Sequence, residues 1–72
     1  MSDINIEVGF KIIIIREQRG WSQEKLATKA GLHRAYIGHI ERGEKNIGLK
    51  NLEKIANALN VSVRVLLDVP NP

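Results

Sequence analysis

The side chains with most to offer chemically are gathered in the stretch Arg34-Ala35-Tyr36-Ile37-Gly38-His39-Ile40. Wound as a helix, it turns Ile37 and Ile40 to one face and leaves Arg34, Ala35, Tyr36, Gly38 and His39 on the other. A guanidinium, a phenol and an imidazole presented together are able to meet base edges or phosphates. Tyr36 has a second option, packing sideways against its neighbours, and His39 is either next to a phosphate or a solvated side chain. Other chemistries fit poorly. His33 and His39 lie six residues apart, off a common helix face, and no Cys or carboxylate spacing supports them as metal ligands. Ser2, Ser22 and Ser62 have no His and acid in a usable pattern, and no glycine-rich phosphate loop is present. In addition, 72 residues leave little wall for a substrate pocket. No catalysis, cofactor or metal is expected.

That outward face needs elements to hold it in place. Gly20, Gly31, Gly43 and Gly48 punctuate the chain, with Ser22 and Ser62 placed to start helices. Between them lie segments of helix length, so the chain reads as all-α with five helices. The first, Glu7 to Arg19, carries Val8, Ile12 and Ile15 at four-then-three spacing. The run Ile12-Ile13-Ile14-Ile15 favours a strand locally, but such a strand would have no partner among helices, so the helix is retained. Ile13 and Ile14 then point away from the Val8/Ile12/Ile15 face. Ser22 caps the second helix, whose stripe is Leu26, Ala27 and Ala30 and whose end is Gly31. The third runs from about His33 to Glu41. Leu49 to Leu59 is the clearest amphipathic segment, with Leu49, Leu52, Ile55, Ala56 and Leu59 as its apolar stripe and Asn60 as its terminator. Ser62 to Leu67 forms the last helix. Residues 1–6 are read as a flexible lead, 7–68 as one domain and 69–72 as a frayed end. Trp21, just before the Ser22 cap, is an apolar anchor for the helix entry.

Composition narrows the partners. A chain of 72 residues with 43% apolar and 26% charged side chains suits one small folded domain, with no room for a second. It has no Cys, so neither disulfides nor a thiolate zinc site reinforce the core. The longest apolar run is far short of the ~20 residues that span a bilayer, and no signal peptide opens the chain, which points to the cytoplasm. The net charge of +3 is modest, but it is concentrated between residues 11 and 45. There Lys11, Arg16, Arg19, Lys25, Lys29, Arg34, Arg42 and Lys45 outnumber Glu17, Glu24, Glu41 and Glu44. A polyanion is therefore a candidate partner, against the plainer reading of a solvated mixed-charge surface, to which Lys25 and Arg42 belong by default.

The stretch from Gln23 to Arg42 sharpens this. Two helices crossing over a short turn need a small residue at the contact and a permissive backbone at the bend, and Ala27 and Gly31 supply them. With Gly-Trp-Ser-Gln-Glu-Lys-Leu-Ala at 20–27, Ala-Gly-Leu at 30–32, Ile-Glu-Arg-Gly at 40–43 and Leu-x-x-Ile-Ala-x-Ala-Leu-x-Val at 52–61, the chain resembles the helix-turn-helix family of phage Cro and cI repressors. The resemblance runs from about Val8 to Leu67. Gly-Leu-His-Arg-Ala-Tyr-Ile followed by Ile-Glu-Arg-Gly-Glu-Lys-Asn looks most like the controller proteins of restriction-modification systems.

The resemblance implies a compact five-helix, lambda-repressor-like domain with its helix-turn-helix at about 23–41. It assigns Arg34, Ala35 and Tyr36 to base contacts, and Gln23, Lys45 and Asn46 to phosphate contacts. His39 is placed with the phosphate neighbours. Arg34 is the best candidate for direct readout, since its planar fork matches guanine O6 and N7, worth about 1–3 kcal/mol of discrimination. Ala35 offers only a methyl where the controller pattern often has Thr. Arg16 and Glu41 match an internal ion pair. Ile13 and Ile14 stand at first-helix positions that are usually polar in the family, and Ile47 where a Pro is common.

The expected function is sequence-specific transcriptional regulation by a homodimer on a palindromic operator in double-stranded DNA, with half-sites about 34–36 Å apart. The C-terminal segment carries more apolar side chains than one short helix buries, so Val63, Val65 and Leu66 are the expected dimer contacts. The single small domain suggests control by the protein's own concentration. Controller resemblance implies activation of its own and the endonuclease gene at low occupancy and repression at high occupancy. Whether dimers pair as tetramers on DNA, and whether RNA polymerase is contacted, stay open. Two other readings are an antitoxin or phage-type repressor that also binds a protein partner, and a nonspecific nucleic-acid binder. No membrane partner is expected.

Overall fold

The structure, a computed structural model, describes residues 3–68 and contains five α-helices among them. These are α1 (Ile4–Gln18), α2 (Gln23–Ala30), α3 (Arg34–Glu41), α4 (Leu49–Leu59) and α5 (Val63–Leu67). The expected frayed end at 69–72 lies outside the described residues, as do the first two residues. None of the helices is long and apolar enough to cross a membrane.

The helix starts follow from local chemistry. Ser22 Oγ accepts from the Lys25 N–H at 3.0 Å, and Ser62 Oγ from that of Val65 at 3.4 Å, each meeting a donor that the first helical turn leaves unpaired. At the other ends Gly31 (φ 70°) and Asn60 (φ 58°) adopt the left-handed conformation that stops α2 and α4. The first helix corrects the expected boundary. It begins at Ile4 and not Glu7, because Asp3 caps it: its carboxylate accepts from the Asn5 N–H at 2.8 Å, and its carbonyl from that of Glu7 at 3.0 Å. Residues 4–6 are therefore helical, not a flexible lead.

All five helices contribute to one core. Ile12 of α1, Leu26 of α2, Ile37 of α3, Ile55 and Leu59 of α4 and Leu66 of α5 are its fully buried members. Trp21, Leu32, Tyr36, Ile47, Val61 and Val63 pack around it half-buried, with Lys29 Nζ 5.6 Å from the centre of the Trp21 ring. The four-isoleucine run is helical because tertiary burial overrides local β-preference. Ile12 and Ile15 enter the core, Ile13 is half-buried, and Ile14 is exposed together with Ile6 and Phe10.

Two apolar residues stand elsewhere than their spacing suggests. Leu49 is 80% exposed, because it opens α4 at the Gly48 cap, a turn ahead of the helix's buried stripe. Leu66 is 0% exposed, so it cannot be a dimer contact in this fold; it is what secures α5 to α1 and α4.

The orientation of α3 depends on Gly9. A Cβ at that position would overlap the carbonyl oxygen of Ile40 and stand 2.7 Å from that of Glu41, so only glycine lets α1 and α3 approach this closely. That contact holds the end of α3 against α1 and leaves the opposite face of α3 free.

Candidate nucleic-acid interface

Three helices are tied together behind the outward face of α3 by one polar cluster. Arg16 Nε donates to Glu41 Oε2 at 2.7 Å and Nη2 to Oε1 at 3.1 Å, a two-bond clamp between α1 and the end of α3. Arg16 Nη1 also donates to the Trp21 carbonyl at 2.7 Å, and Gln23 Nε2 donates to Glu41 Oε1 at 2.9 Å. The two charged side chains are only 11% and 2% exposed. A charge this buried is tolerable when its hydrogen-bonding capacity is met, and among the described residues no buried side-chain nitrogen or oxygen lacks a partner. The hydrogen bonds Arg16 donates to Glu41 raise the Arg16 pKa against the opposing effect of burial.

In front of this cluster, Gln23, Arg34, Ala35, Gly38, His39 and Arg42 line one shallow groove. Arg34 also borders a second depression with Ser22, Gln23 and Glu24, so it stands between the starts of α2 and α3. Arg34 and Ala35 are exposed, and Gln23 and His39 half-exposed. The Glu41 bond takes one N–H of the Gln23 amide and leaves the other free for an acceptor in the groove. The groove is open, has donors on both walls, and is the right kind of surface for an anionic, edge-presenting ligand.

At its far end His39, Arg42 and Glu44 form an exposed cluster. Arg42 Nε donates to Glu44 Oε2 at 2.9 Å, and His39 Nδ1 lies 2.7 Å from Glu44 Oε1. One ring nitrogen cannot both donate to Glu44 and accept from Arg42. With Nδ1–H directed at the carboxylate, the 3.3 Å approach of Arg42 Nη2 to the same nitrogen is a contact and not a hydrogen bond. The Arg42 guanidinium, with His39 beside it, holds the Glu44 carboxyl at about 2.

Not every residue singled out by sequence is in the groove. Tyr36, expected with the base contacts, is half-buried against the core and turned toward α4, where its hydroxyl accepts from Asn51 Nδ2 at 3.0 Å. It borders a different cleft, with Gly31, Leu32, His33 and Asn51, and so the lateral packing left open by sequence is the arrangement adopted. Lys45 and Asn46 lie exposed in the loop after α3, and Asn5 Nδ2 donates to Asn46 Oδ1 at 2.6 Å. The start of α1 thus steadies that loop and leaves the Asn46 amide hydrogens available. Sequence reasoning passed over Asn5, Glu44 and Asn51 as site residues, and left Arg42 as a default surface charge. The only available signal among them was Glu44, an acid two residues from Arg42 and five from His39.

Comparison with known proteins fits this geometry. A helix-turn-helix family model matches residues 12–66. The chain is 47% identical over 68 residues to control protein C.BamHI of Bacillus amyloliquefaciens, covering 93% of this chain and 84% of that one. It is 41% identical to a Neisseria meningitidis protein described as a hypothetical transcription factor, covering 94% of this chain and 64% of that relative's length. Among solved structures, the restriction-modification controller protein C.AhdI of Aeromonas hydrophila superposes with a TM-score of 0.84 at 40% identity, over 86% of this chain and 94% of that one. The biofilm regulator SinR, solved in complex with DNA, gives 0.81 at 40% identity, over 85% and 98% of the two chains. The chain belongs to the helix-turn-helix family of Cro/cI-type transcriptional regulators. Within that family its similarity extends to restriction-modification controller proteins.

Proposed function

We propose that this chain is a sequence-specific DNA-binding regulator of controller type, reading a palindromic operator as a homodimer in the cytoplasm. The observation that carries the proposal is the groove itself. Arg34 and Ala35 face outward from a helix whose back is fixed by Gly9 and the Arg16–Glu41 pair, with Gln23 aimed into the same space. Preorganised donors on a rigid helix lose little freedom on binding. Arg34 grips a base edge in the major groove, while Gln23, His39, Lys45 and Asn46 hold the flanking phosphates and set the register.

Burial of Leu66 moves the proposed dimer contact to the other side of α5. Val65 is 39% and Leu67 45% exposed there, with half-buried Val63 alongside. Two-fold pairing through α5 gives two recognition helices and a doubled reading frame. At low occupancy a bound dimer recruits RNA polymerase to its own and the endonuclease gene, and at high occupancy a second dimer covers the promoter. Footprinting across the DNA upstream of its gene tests this: protection of one or more two-fold symmetric sites is expected. Uniform protection at every sequence would overturn the operator reading.

A further inference from the structure

Arg42 caps the end of α3, and although its side chain is exposed it does not project straight away from the helix. The guanidinium folds back over Gly38, one turn earlier, so closely that a Cβ on Gly38 would stand 3.2 Å from Nη1 and 3.8 Å from Cζ and Nη2. Gly38 is thus a seat, and from it the guanidinium forms part of the same groove as Gln23, Arg34, Ala35 and His39. Glu44 fixes it there through Nε at 2.9 Å while its other oxygen takes His39 at 2.7 Å. Stability does not account for this arrangement. Arg42 and Glu44 are 55% and 48% exposed, and exposed pairs of this kind add little to folding. A glycine in the middle of α3 also costs helix stability.

The arrangement also has a cost for binding. Glu44 places a negative charge beside a surface meant for a polyanion, and it engages two of the groove's side chains, Arg42 and His39. Such a charge opposes every phosphate backbone equally, whereas a guanidinium held in one orientation helps only where the DNA presents matching acceptors. We propose that Arg42 is a further DNA-contacting side chain and that Glu44 is its positioning residue, together setting the ratio of operator to nonspecific binding. Nη1 and the outer N–H of Nη2 are the donors offered to DNA, with Nε retained by Glu44. This rests on the reading of the groove as a DNA interface, and its test separates the two.

The experiment uses fluorescence anisotropy with the full chain, a duplex selected from a random pool by the wild-type protein, and a scrambled duplex of equal length, each at several salt concentrations. Glu44→Gln frees Arg42 to pair with any phosphate. Binding to the scrambled duplex is expected to tighten about threefold, with a salt slope steeper by about one, while operator binding changes less, so the ratio falls. Glu44→Asp keeps the charge but is too short to hold both Arg42 and His39; it should weaken operator binding without tightening scrambled binding. Gly38→Ala displaces the guanidinium without loss of melting temperature and should lower the ratio as well. If the ratio and salt slope are unchanged in Glu44→Gln and Gly38→Ala while Arg34→Ala still lowers operator preference, the role of Arg42 and Glu44 is overturned and the DNA reading stands. If the wild-type chain selects no duplex, the DNA reading fails and this inference with it.

Discussion

Replacing Glu41 by Ala removes the acceptor for three hydrogen bonds at once, two from Arg16 and one from Gln23. The Arg16 side chain is only 11% exposed and, among the described residues, retains only the Trp21 carbonyl as a partner, so a nearly buried cation is left without its counter-charge. Breaking one side of a buried pair costs about 3–5 kcal/mol. A 72-residue domain has only roughly 4–11 kcal/mol to lose. At about 4–8 °C per kcal/mol, the melting temperature should fall by roughly 12–40 °C. Removing both charges is a different matter, because an apolar pair of similar volume avoids the desolvation penalty. The Arg16→Met/Glu41→Leu double variant should therefore recover most of the loss, with a coupling of at least about 2 kcal/mol. Urea denaturation of the parent, Arg16→Met, Glu41→Leu and the double variant, followed by circular dichroism at fixed chain concentration because dimerisation makes stability concentration-dependent, measures the cycle. The recovered double variant should still bind DNA less tightly than the parent, because Gln23 has lost its anchor. A loss under about 1 kcal/mol in Glu41→Ala, or strict additivity in the double variant, would refute the view that this pair holds α3 to α1.

Three further expectations concern packing, assembly and pH. Gly9→Ala should cost about 1–3 kcal/mol in a thermal melt despite alanine's better helix propensity, because its methyl meets the carbonyls of Ile40 and Glu41. Leu66→Ala should destabilise the fold by about 2–5 kcal/mol, as a fully buried side chain does, whereas Val65→Glu should leave the fold intact and yield a monomer by sedimentation equilibrium. The Glu44 carboxyl is lowered from 4.5 to about 2 in the folded chain, so its contribution is fully present above about pH 4.5 and is lost as pH falls toward 2. Because the pair is exposed, melting temperature should change little across that window. The Glu44 carboxyl followed by NMR should instead titrate well below 4.5 in the parent and move back toward 4.5 in Arg42→Ala, and an unmoved midpoint would show that Arg42 does not hold the carboxylate.

Features that depend on a few neighbouring residues were legible from sequence. Ser22 and Gly31 bracket α2 through contacts within one turn, and the Leu52/Ile55/Ala56/Leu59 stripe has enough length to fix its own phase. Short or terminal segments were less so. α5 has five residues, too few for periodicity to say whether Val65 or Leu66 faces inward, and Asp3 reads equally well as a polar lead or as the cap it is. The site divides the same way. The outward set of Arg34, Ala35 and His39 follows from Ile37 and Ile40 facing in. Three features that shape that face do not: the Gln23–Glu41 bond, the Tyr36–Asn51 bond and the guanidinium laid over Gly38. The first two join different helices, and the last requires a rotamer that sequence spacing cannot specify.

The central claim is that Arg34 reads a base pair. It is tested most directly by measuring Arg34→Ala and parent affinities on a panel of operators carrying every single base-pair substitution. Preference should flatten at one base pair in each half-site, with about 1–3 kcal/mol lost on the best sequence and little lost on sequences already mismatched there. Equal weakening across the whole panel, with every preference intact, would contradict it.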